Sequence, residues 1–487
     1  MKRTIIIGGG ISGLAVAHRL IEQGQTQNLT IIEAASRLGG TLQTEQRDGF
    51  LLERGPDSFI SEKPAALELV KRLGLESELI QTNEQHRRSF IVSRGKLRPV
   101  PEGFQLLAPT RLWPFIASDI FSLPGKVRMA ADLVLPRRNS NDESLASFVR
   151  RRLGQEALDR MAQPMVGGIY TANPETLSLR ATLPRFLDLE QQHRSIILGM
   201  WRKGRKAKAS SGVSGARYSL FLSFANGMET FVGALQRRIF DCRLPIADCR
   251  LDTKARQIIR GSSSWTIITD KETFEADSVC LAVPAYTAAE LLRGESLQLA
   301  VQLEQIQFAS TATINFAYHR DQIKHPLDGF GFVVPFIEKR SVLACTFSNV
   351  KFSGRAPEGH VLLRAFVGGA LQPEMFALDD DEMKHRVRKD LKDLLDIQGE
   401  PLFAELSRWT KSMPQYEVGH LDRVAEIEKQ VATLPGLALA GNSYRGAGIP
   451  DCILSGELAA EKILGALSVS AVNRKDTENA KKTRSII

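Results

Sequence analysis

The beginning of the chain constrains it most. Residues 3–7 (Arg-Thr-Ile-Ile-Ile) form a short β-branched run ending in Gly8-Gly9-Gly10, and from Ser12 to Ile21 the apolar residues Leu14, Ala17, Leu20 and Ile21 recur at helical spacing. After Gly24, Leu29-Thr-Ile-Ile reads as a second buried strand running into Glu33. Strand, turn, helix and strand make a βαβ unit. Its turn spells Gly8-x-Gly10-x-x-Gly13, with a carboxylate twenty residues beyond the last glycine. In such a unit the first glycine permits the tight turn, the second lets a pyrophosphate approach the backbone, and the third lets helix and strand pack closely. The helix N-terminus offers free N–H groups and a partial positive charge to that diphosphate. A dinucleotide site is therefore expected at Gly8, Gly9, Gly10, Ile11, Ser12, Gly13 and Glu33, with Glu33 accepting the ribose hydroxyls.

With 487 residues and 43% of them hydrophobic, the chain has material for about three domains or lobes. Disordered, collagenous and small disulfide-bonded classes are excluded. Cys242, Cys249, Cys280, Cys345 and Cys452 are scattered and never spaced C-x-x-C, which argues against a disulfide framework or structural zinc and fits a reducing, cytoplasmic setting. The apolar run before Gly8 is too short for a signal peptide, and no run approaches the ~18 residues of a membrane span. The net charge of +9 is concentrated in Arg202–Lys208, which runs into Ser/Gly-rich 209–215, and in the tail from Arg474 to Arg484. These read as solvated loop and tail, and without any helix-turn-helix, zinc-finger or aromatic RNA-binding pattern no nucleic-acid partner is expected.

Beyond the βαβ unit the chain changes character twice. Helices are expected at 125–135, at 143–152 capped by Asn141 or Asp142, at 155–163 and at 183–200. Alternating strands fill 217–283 and 306–368, and helices return at 227–239, 380–395 and 451–466. The expected fold is mixed α/β: a Rossmann-type nucleotide-binding domain, a β-sheet substrate domain and a mainly helical lobe. The nucleotide domain takes 1–80, 217–295 and 431–467. The substrate domain takes 81–98 and 296–430, the helical lobe 99–205, and 468–487 is a basic flexible tail.

The run Glu33-Ala34-Ala-Ser-Arg37-Leu-Gly39-Gly40-Thr41 resembles the extended FAD fingerprint of the amine oxidase, phytoene desaturase and protoporphyrinogen oxidase superfamily. A cation and a second patch of exposed N–H groups suit a diphosphate already held on one side. Four further segments resemble the protoporphyrinogen/coproporphyrinogen oxidases in particular. They are Glu53-Arg54-Gly55-Pro56-Asp57-Ser58-Phe59; Arg151-Arg152-Leu153-Gly154 with Gly167-Gly168-Ile169-Tyr170 to Ser178; Trp409-x-x-x-Met413-Pro414-Gln415-Tyr416-x-Val418-Gly419-His420; and Gly441-Asn442 to Gly456. The resemblance runs in order through nearly the whole chain. It implies FAD contacts at Ala34, Arg37, Gly40, Thr41, Arg54, Gly55, Pro56, Asp57, Cys249, Asn442, Ala447, Gly448 and Ile449. In the last segment a helix starting near Asp451, with Asp451 as N-cap, would point its positive end at the flavin edge where reduced flavin gathers charge. Cys452 reads as a packing residue.

The resemblance implies oxidation of a porphyrinogen, with hydride passing to the flavin and oxygen as final acceptor giving hydrogen peroxide. Such a substrate needs an apolar slot with cations at its mouth. The family's slot matches Phe330 and Val333 in Gly329–Pro335, Phe366, and Gly168 opposite. Its propionate-binding cation matches Arg88, with Arg87 adjacent as the other candidate. No acid or base stands out as catalytic, and no H-E-x-x-H or G-x-S-x-G pattern suggests a metal or nucleophile. Protoporphyrinogen is the favoured substrate and coproporphyrinogen the alternative. Other flavin amine oxidases or desaturases, and flavin-free prenyl-protein escort modules, are more distant readings. Segment 101–136 mixes Trp113, Phe115, Ile116 and Phe121 with Lys126 and Arg128. That composition suits either a lid or a surface resting on the inner face of a membrane, and the reading leaves room for a homodimer.

Overall fold

The structure, a computed structural model, describes residues 3–24, 28–105, 107–109, 111–138, 141–202, 220–240, 247–262 and 264–465. Most of the basic stretch after Arg202, the tail and Cys242 lie outside the described residues.

A five-stranded parallel sheet is built in the order Ala247–Arg250, Leu29–Ile32, Thr4–Ile7, Ser278–Leu281 and Leu437–Leu439. Both faces are covered, so strands Leu29–Ile32, Thr4–Ile7 and Ser278–Leu281 are buried at nearly every position, whereas the edge strand Ala247–Arg250 alternates with exposed Asp248 and Arg250. Ile6, Ile31, Cys280 and Ala438 face a core shared with helices Ile11–Glu22 and Glu229–Ile239 and the helix 449–465. Ile5, Ile7, Val279, Leu281 and Leu437 face the opposite core, formed with helices Ala285–Leu292 and Leu297–Glu304 and a three-stranded meander from Ala255 to Ala276. This doubly covered sheet is a Rossmann-type core, reached by three separate passes of the chain.

The second unit is a seven-stranded sheet in the order Phe403–Pro414, Phe308–His319, His360–Gly368, Ala344–Phe347, Gly331–Val333, Phe90–Ser93 and Lys96–Pro99. Along Phe308–His319 the period of two is plain. Ala312, Ile314, Phe316 and Tyr318 pack into a core against helix Asp380–Leu395. On the opposite face, Thr313 and Asn315 address the backbone of Arg54 and Glu53. One face of this sheet thus builds its own core, and the other braces the turn that follows strand Phe50–Glu53.

The helical lobe differs from the sequence expectation in three places. Helix Leu145–Arg152 is capped by the Ser144 hydroxyl, which accepts from the Ser147 N–H at 3.1 Å, so neither Asn141 nor Asp142 is the cap. Asp142 instead accepts from Ser178, Arg180 N–H and Gly419 N–H, joining the lobe to the C-terminal part of the chain. The expected helix 155–163 continues to Tyr170 through a π-turn at Leu158–Ala162. Pro164 has no N–H to continue the α ladder there. The expected helix 183–200 is two helices, broken at Arg194 (φ 62°), whose carbonyl turns to meet the buried Arg152 guanidinium.

Candidate functional site

The four glycines of the first turn are required for different reasons. A Cβ on Gly8 would sit 2.4 Å from the Ala282 carbonyl oxygen, on Gly9 2.2 Å from Leu38, and on Gly13 1.9 Å from the Gly8 oxygen. At Gly8 and Gly13 a side chain is excluded by backbone atoms, and at Gly9 it would displace the end of the Leu38 side chain. A Cβ on Gly10 would meet no protein atom within 4 Å, and its backbone (φ −70°, ψ 179°) suits any L residue. Space at Gly10 is therefore kept open for something other than the chain, directly at the N-terminus of a helix whose first turn has no acidic residue. Glu33 accepts from the Gly9 N–H at 2.6 Å and from the Ala35 N–H at 2.8 Å. Of the four lone-pair positions of a carboxylate, two remain for a ribose. Gly40 lies against Gly10, its Cβ position 3.2 Å from the Gly10 Cα, with Gly39 bridged to Gly10. Ile11 and Ser12 open the helix, and Ala34 and Thr41 are exposed beside it. These residues fit a dinucleotide diphosphate and ribose.

Arg37 lies beside this turn. Its guanidinium donates to the carbonyls of Gly40 (2.9 Å) and Leu42 (2.6 Å) and to Glu229 (3.1 Å). It therefore holds the glycine turn in shape while keeping N–H donors beyond those three bonds. Cys249 sits half-buried on the edge strand, opposite Ile31, and burial pushes its thiol up.

The Gly55 turn is fixed from the substrate sheet. The Arg54 carbonyl accepts from Thr313 (2.8 Å) and from the Trp409 indole (3.0 Å), while the Arg54 guanidinium pairs with Glu45 (2.7 Å). The Gly55 carbonyl accepts from Arg364, and any Cβ on Gly55 would collide with the Thr41 carbonyl at 1.7 Å. Pro56 is half-buried, and Asp57 pairs with Lys351 at 2.9 Å. The Lys351 and Arg364 charges more than offset burial and hold the Asp57 carboxyl well below its usual range. Glu53, also buried, is pushed up to about 7 by desolvation despite donors from Met228 N–H and Thr44. Sequence reasoning missed Glu53, Lys351 and Arg364 as site residues. The available signal was a charge inside an apolar strand, as in Leu362-Leu363-Arg364-Ala365.

At the C-terminal segment, Gly441 (φ 127°) and Gly446 (φ 153°) bend the chain toward the helix at 449–465. Asp451 is not the cap. It lies within the first helical turn and pairs with Lys63 at 2.6 Å. Cys452 is buried, its thiol pushed up to about 12, which makes it a packing group. Ala447, Gly448 and Ile449 lead into the helix N-terminus, and Asn442 donates to the Ser412 carbonyl at 3.1 Å. His420 is fully buried, and desolvation lowers it to about 4, so it is neutral with Nε2 donating to the Tyr444 carbonyl at 2.8 Å.

The predicted slot residues come together in part. A Cβ on Gly168 would lie 3.6 Å from Val333, so helix Gln163–Tyr170 and strand Gly331–Val333 face each other there. Phe366 is half-buried, with the Arg364 guanidinium 4.8 Å from its ring centre. Phe330 is half-buried, and its N–H donates to the Arg88 carbonyl at 2.8 Å. Phe332 and Val334 instead enter the sheet core. A cleft of about 760 Å³ is lined by Met165 of helix Gln163–Tyr170 and by Phe104, Arg87, Arg88, Arg98, Glu102 and Asp119 among others. Arg88 pairs with Asp328, Arg98 with Asp119 (3.0 Å) and Arg87 with Glu84 (3.6 Å).

In segment 101–136, Trp113, Ile116, Leu123, Val127 and Val134 are exposed. Lys126, however, donates to the Ile116 and Ser118 carbonyls, and Arg128 to those of Arg150, Arg151 and Arg152. Both of these cations thus bond to backbone carbonyls of the lobe itself. Among the described residues, no helix is long and apolar enough to cross a membrane, and no group of three or more His, Cys, Asp or Glu side chains could hold a metal.

Residues 11–464 match the model of the flavin containing amine oxidoreductases. The coproporphyrinogen III oxidase of Bacillus subtilis is 36% identical over 95% of this chain and 98% of its own. A protoporphyrinogen oxidase of Arabidopsis thaliana is 28% identical over 98% and 97%. A crystal structure from Exiguobacterium sp. 255-15, provisionally assigned as a protoporphyrinogen oxidase, superposes with a TM-score of 0.84 at 33% identity over 96% of this chain and 99% of that one.

Proposed function

The chain belongs to the flavin-containing amine oxidoreductases, in their porphyrinogen-oxidase branch with FAD as cofactor, and we propose that it oxidises coproporphyrinogen III to coproporphyrin III. The net change removes six electrons and six protons from the macrocycle and passes them to three dioxygen molecules, giving three hydrogen peroxide. FAD, when bound, supplies a two-electron acceptor, and Gly10, Glu33 and the Gly55 turn would hold it.

The observation that carries the choice of substrate is the arginine-lined cleft. Coproporphyrinogen has four propionates and protoporphyrinogen two, the others being replaced by vinyl groups. Arg87, Arg88 and Arg98 line it beside Glu102 and Asp119, and each guanidinium keeps donors beyond those its carboxylate partner uses, so three forks are available to a substrate with four propionates. The sequence reading favours protoporphyrinogen on the membrane-suited composition of segment 101–136 and leaves the count of cations to the fold. The relatives named for coproporphyrinogen oxidation are also more similar to this chain than those named for protoporphyrinogen oxidation, which supports the same reading.

In this reading the Gly168 side of helix Gln163–Tyr170 and the half-buried Phe366 ring are the apolar walls against which the macrocycle packs. The cleft arginines orient it by its carboxylates, so that the methylene bridge faces the cofactor. No side chain needs to be assigned as base, since loss of hydride makes the adjacent pyrrole N–H acidic. The test is Arg98→Met. One charge-assisted hydrogen bond contributes about 1.5–3 kcal/mol, so KM for coproporphyrinogen III should rise roughly tenfold or more while that for protoporphyrinogen IX stays within about twofold. Equal effects on both substrates would remove the cleft from the argument.

A further inference from the structure

The segment Trp409–His420 is singled out by its sequence but supplies none of the candidate contacts to cofactor or substrate described above. Its geometry is irregular. Strand Phe403–Pro414 pairs with Phe308–His319, but Trp409 faces Thr311 while Met413 faces Ala309, so three residues of one strand are accommodated opposite Ser310. The bulge is held by the Lys411 N–H donating to the Ser310 hydroxyl at 3.0 Å and puts Lys411, a non-glycine residue, at φ 45°. Such strain persists where the surroundings impose it, and bulges re-aim the groups on either side of them.

The two ends aim at two different backbone turns. Before the bulge, the Trp409 indole donates to the Arg54 carbonyl, at the start of the Gly55 turn. Within it, the Ser412 carbonyl accepts from Asn442. After it, the Tyr416 hydroxyl donates to the Asn442 carbonyl and accepts from the Gly446 N–H at 3.0 Å, so both its hydrogen-bonding roles are filled by one turn. His420 stacks on the Tyr416 ring, centroids 4.2 Å apart, and donates to the Tyr444 carbonyl between them. Tyr416 and His420 are both buried. Their partners therefore cannot turn to water instead.

We infer that Trp409–His420 is a brace that sets the spacing between the two backbone segments flanking the flavin, the Gly55 turn and the Asn442–Gly446 turn, with Trp409 and Tyr416 as its positioning residues. The inference rests on the flavin assignment and is independent of which porphyrinogen reacts. It makes the site preorganised: the turn is shaped before FAD arrives, because its partners belong to the chain.

The test reads FAD binding and needs no substrate. FAD is titrated into the flavin-stripped parent protein, Tyr416→Phe, Trp409→Phe and the double variant, with circular dichroism reporting the fold. A brace cut at either end loses the same function, so each single variant should bind FAD at least fivefold more weakly and the double should fall short of the product of the two losses. A loss below fivefold in either single variant, or a double equal to or beyond the product, overturns the brace. Amide exchange of the parent protein covers the case in which a variant does not fold. The Gly446 N–H should exchange slowly in the flavin-stripped protein, and fast exchange that slows only on adding FAD would equally overturn it.

Discussion

Gly10→Val should give a folded, colourless protein. Its Cβ would meet no protein atom within 4 Å and its backbone angles are ordinary for valine, so the flavin-free variant should unfold within about 1 kcal/mol of the parent. The same methyl groups would occupy the space through which a diphosphate reaches the helix N-terminus. FAD affinity should therefore fall at least about a hundredfold, equivalent to about 2.7 kcal/mol. Gly13→Ala is the contrast. Its Cβ would lie 1.9 Å from the Gly8 oxygen, so it should damage the fold itself. A Gly10→Val protein that kept its yellow colour would mean that the open space at Gly10 is not the cofactor's.

The second large effect concerns stability. Arg152→Ala should destabilise the helical lobe by about 3–5 kcal/mol, because it leaves a buried carboxylate without its counter-ion. Arg152 is fully buried. It bonds Asp132 at 2.6 Å and the carbonyls of Asp132 (2.8 Å), Arg194 (2.7 Å) and Pro136 (3.0 Å), so its planar fork ties three segments of the lobe together. Asp132 in turn accepts from Ser195 (2.6 Å) and the Ile197 N–H (3.0 Å). Arg152→Lys, with one charge centre and no fork, should recover less than half of the loss. Urea denaturation of the flavin-free proteins measures both, and a loss under about 1 kcal/mol for Arg152→Ala would refute the role. The lobe also carries Gly168, so the weakened variant should lose its grip on substrate before it loses FAD.

The parts of the molecule that were legible in the sequence are those in which one short segment carries the whole reason. The glycines of the first turn, the strand before them and the helix after them constrain each other within a few residues, and so they read correctly. Local cues with several candidates in a row read less well. Among Asn141, Asp142 and Ser144, any could cap a helix, and only the fold shows that Asp142 is taken by Ser178, Arg180 and Gly419. Asp451 has the position of a cap, but it lies inside the first helical turn and is held by a partner from elsewhere, Lys63. What could not be read at all is the long-range polar network. Lys351 reaches Asp57 and Arg364 reaches the Gly55 carbonyl across about three hundred residues of chain, with no spacing rule to join them. The cleft arginines are similar: Arg87 and Arg88 are obvious as residues, but their company with Arg98 around one cavity is a property of the sheet.

The most direct measurement mixes the oxidised holoprotein, without air, with coproporphyrinogen III or protoporphyrinogen IX and follows the flavin absorbance. Bleaching should occur with coproporphyrinogen III, at an apparent second-order rate at least about tenfold above that with protoporphyrinogen IX, and admitting air should restore the yellow colour. A flavin that stays oxidised with both, or that is reduced faster by protoporphyrinogen IX, contradicts the account.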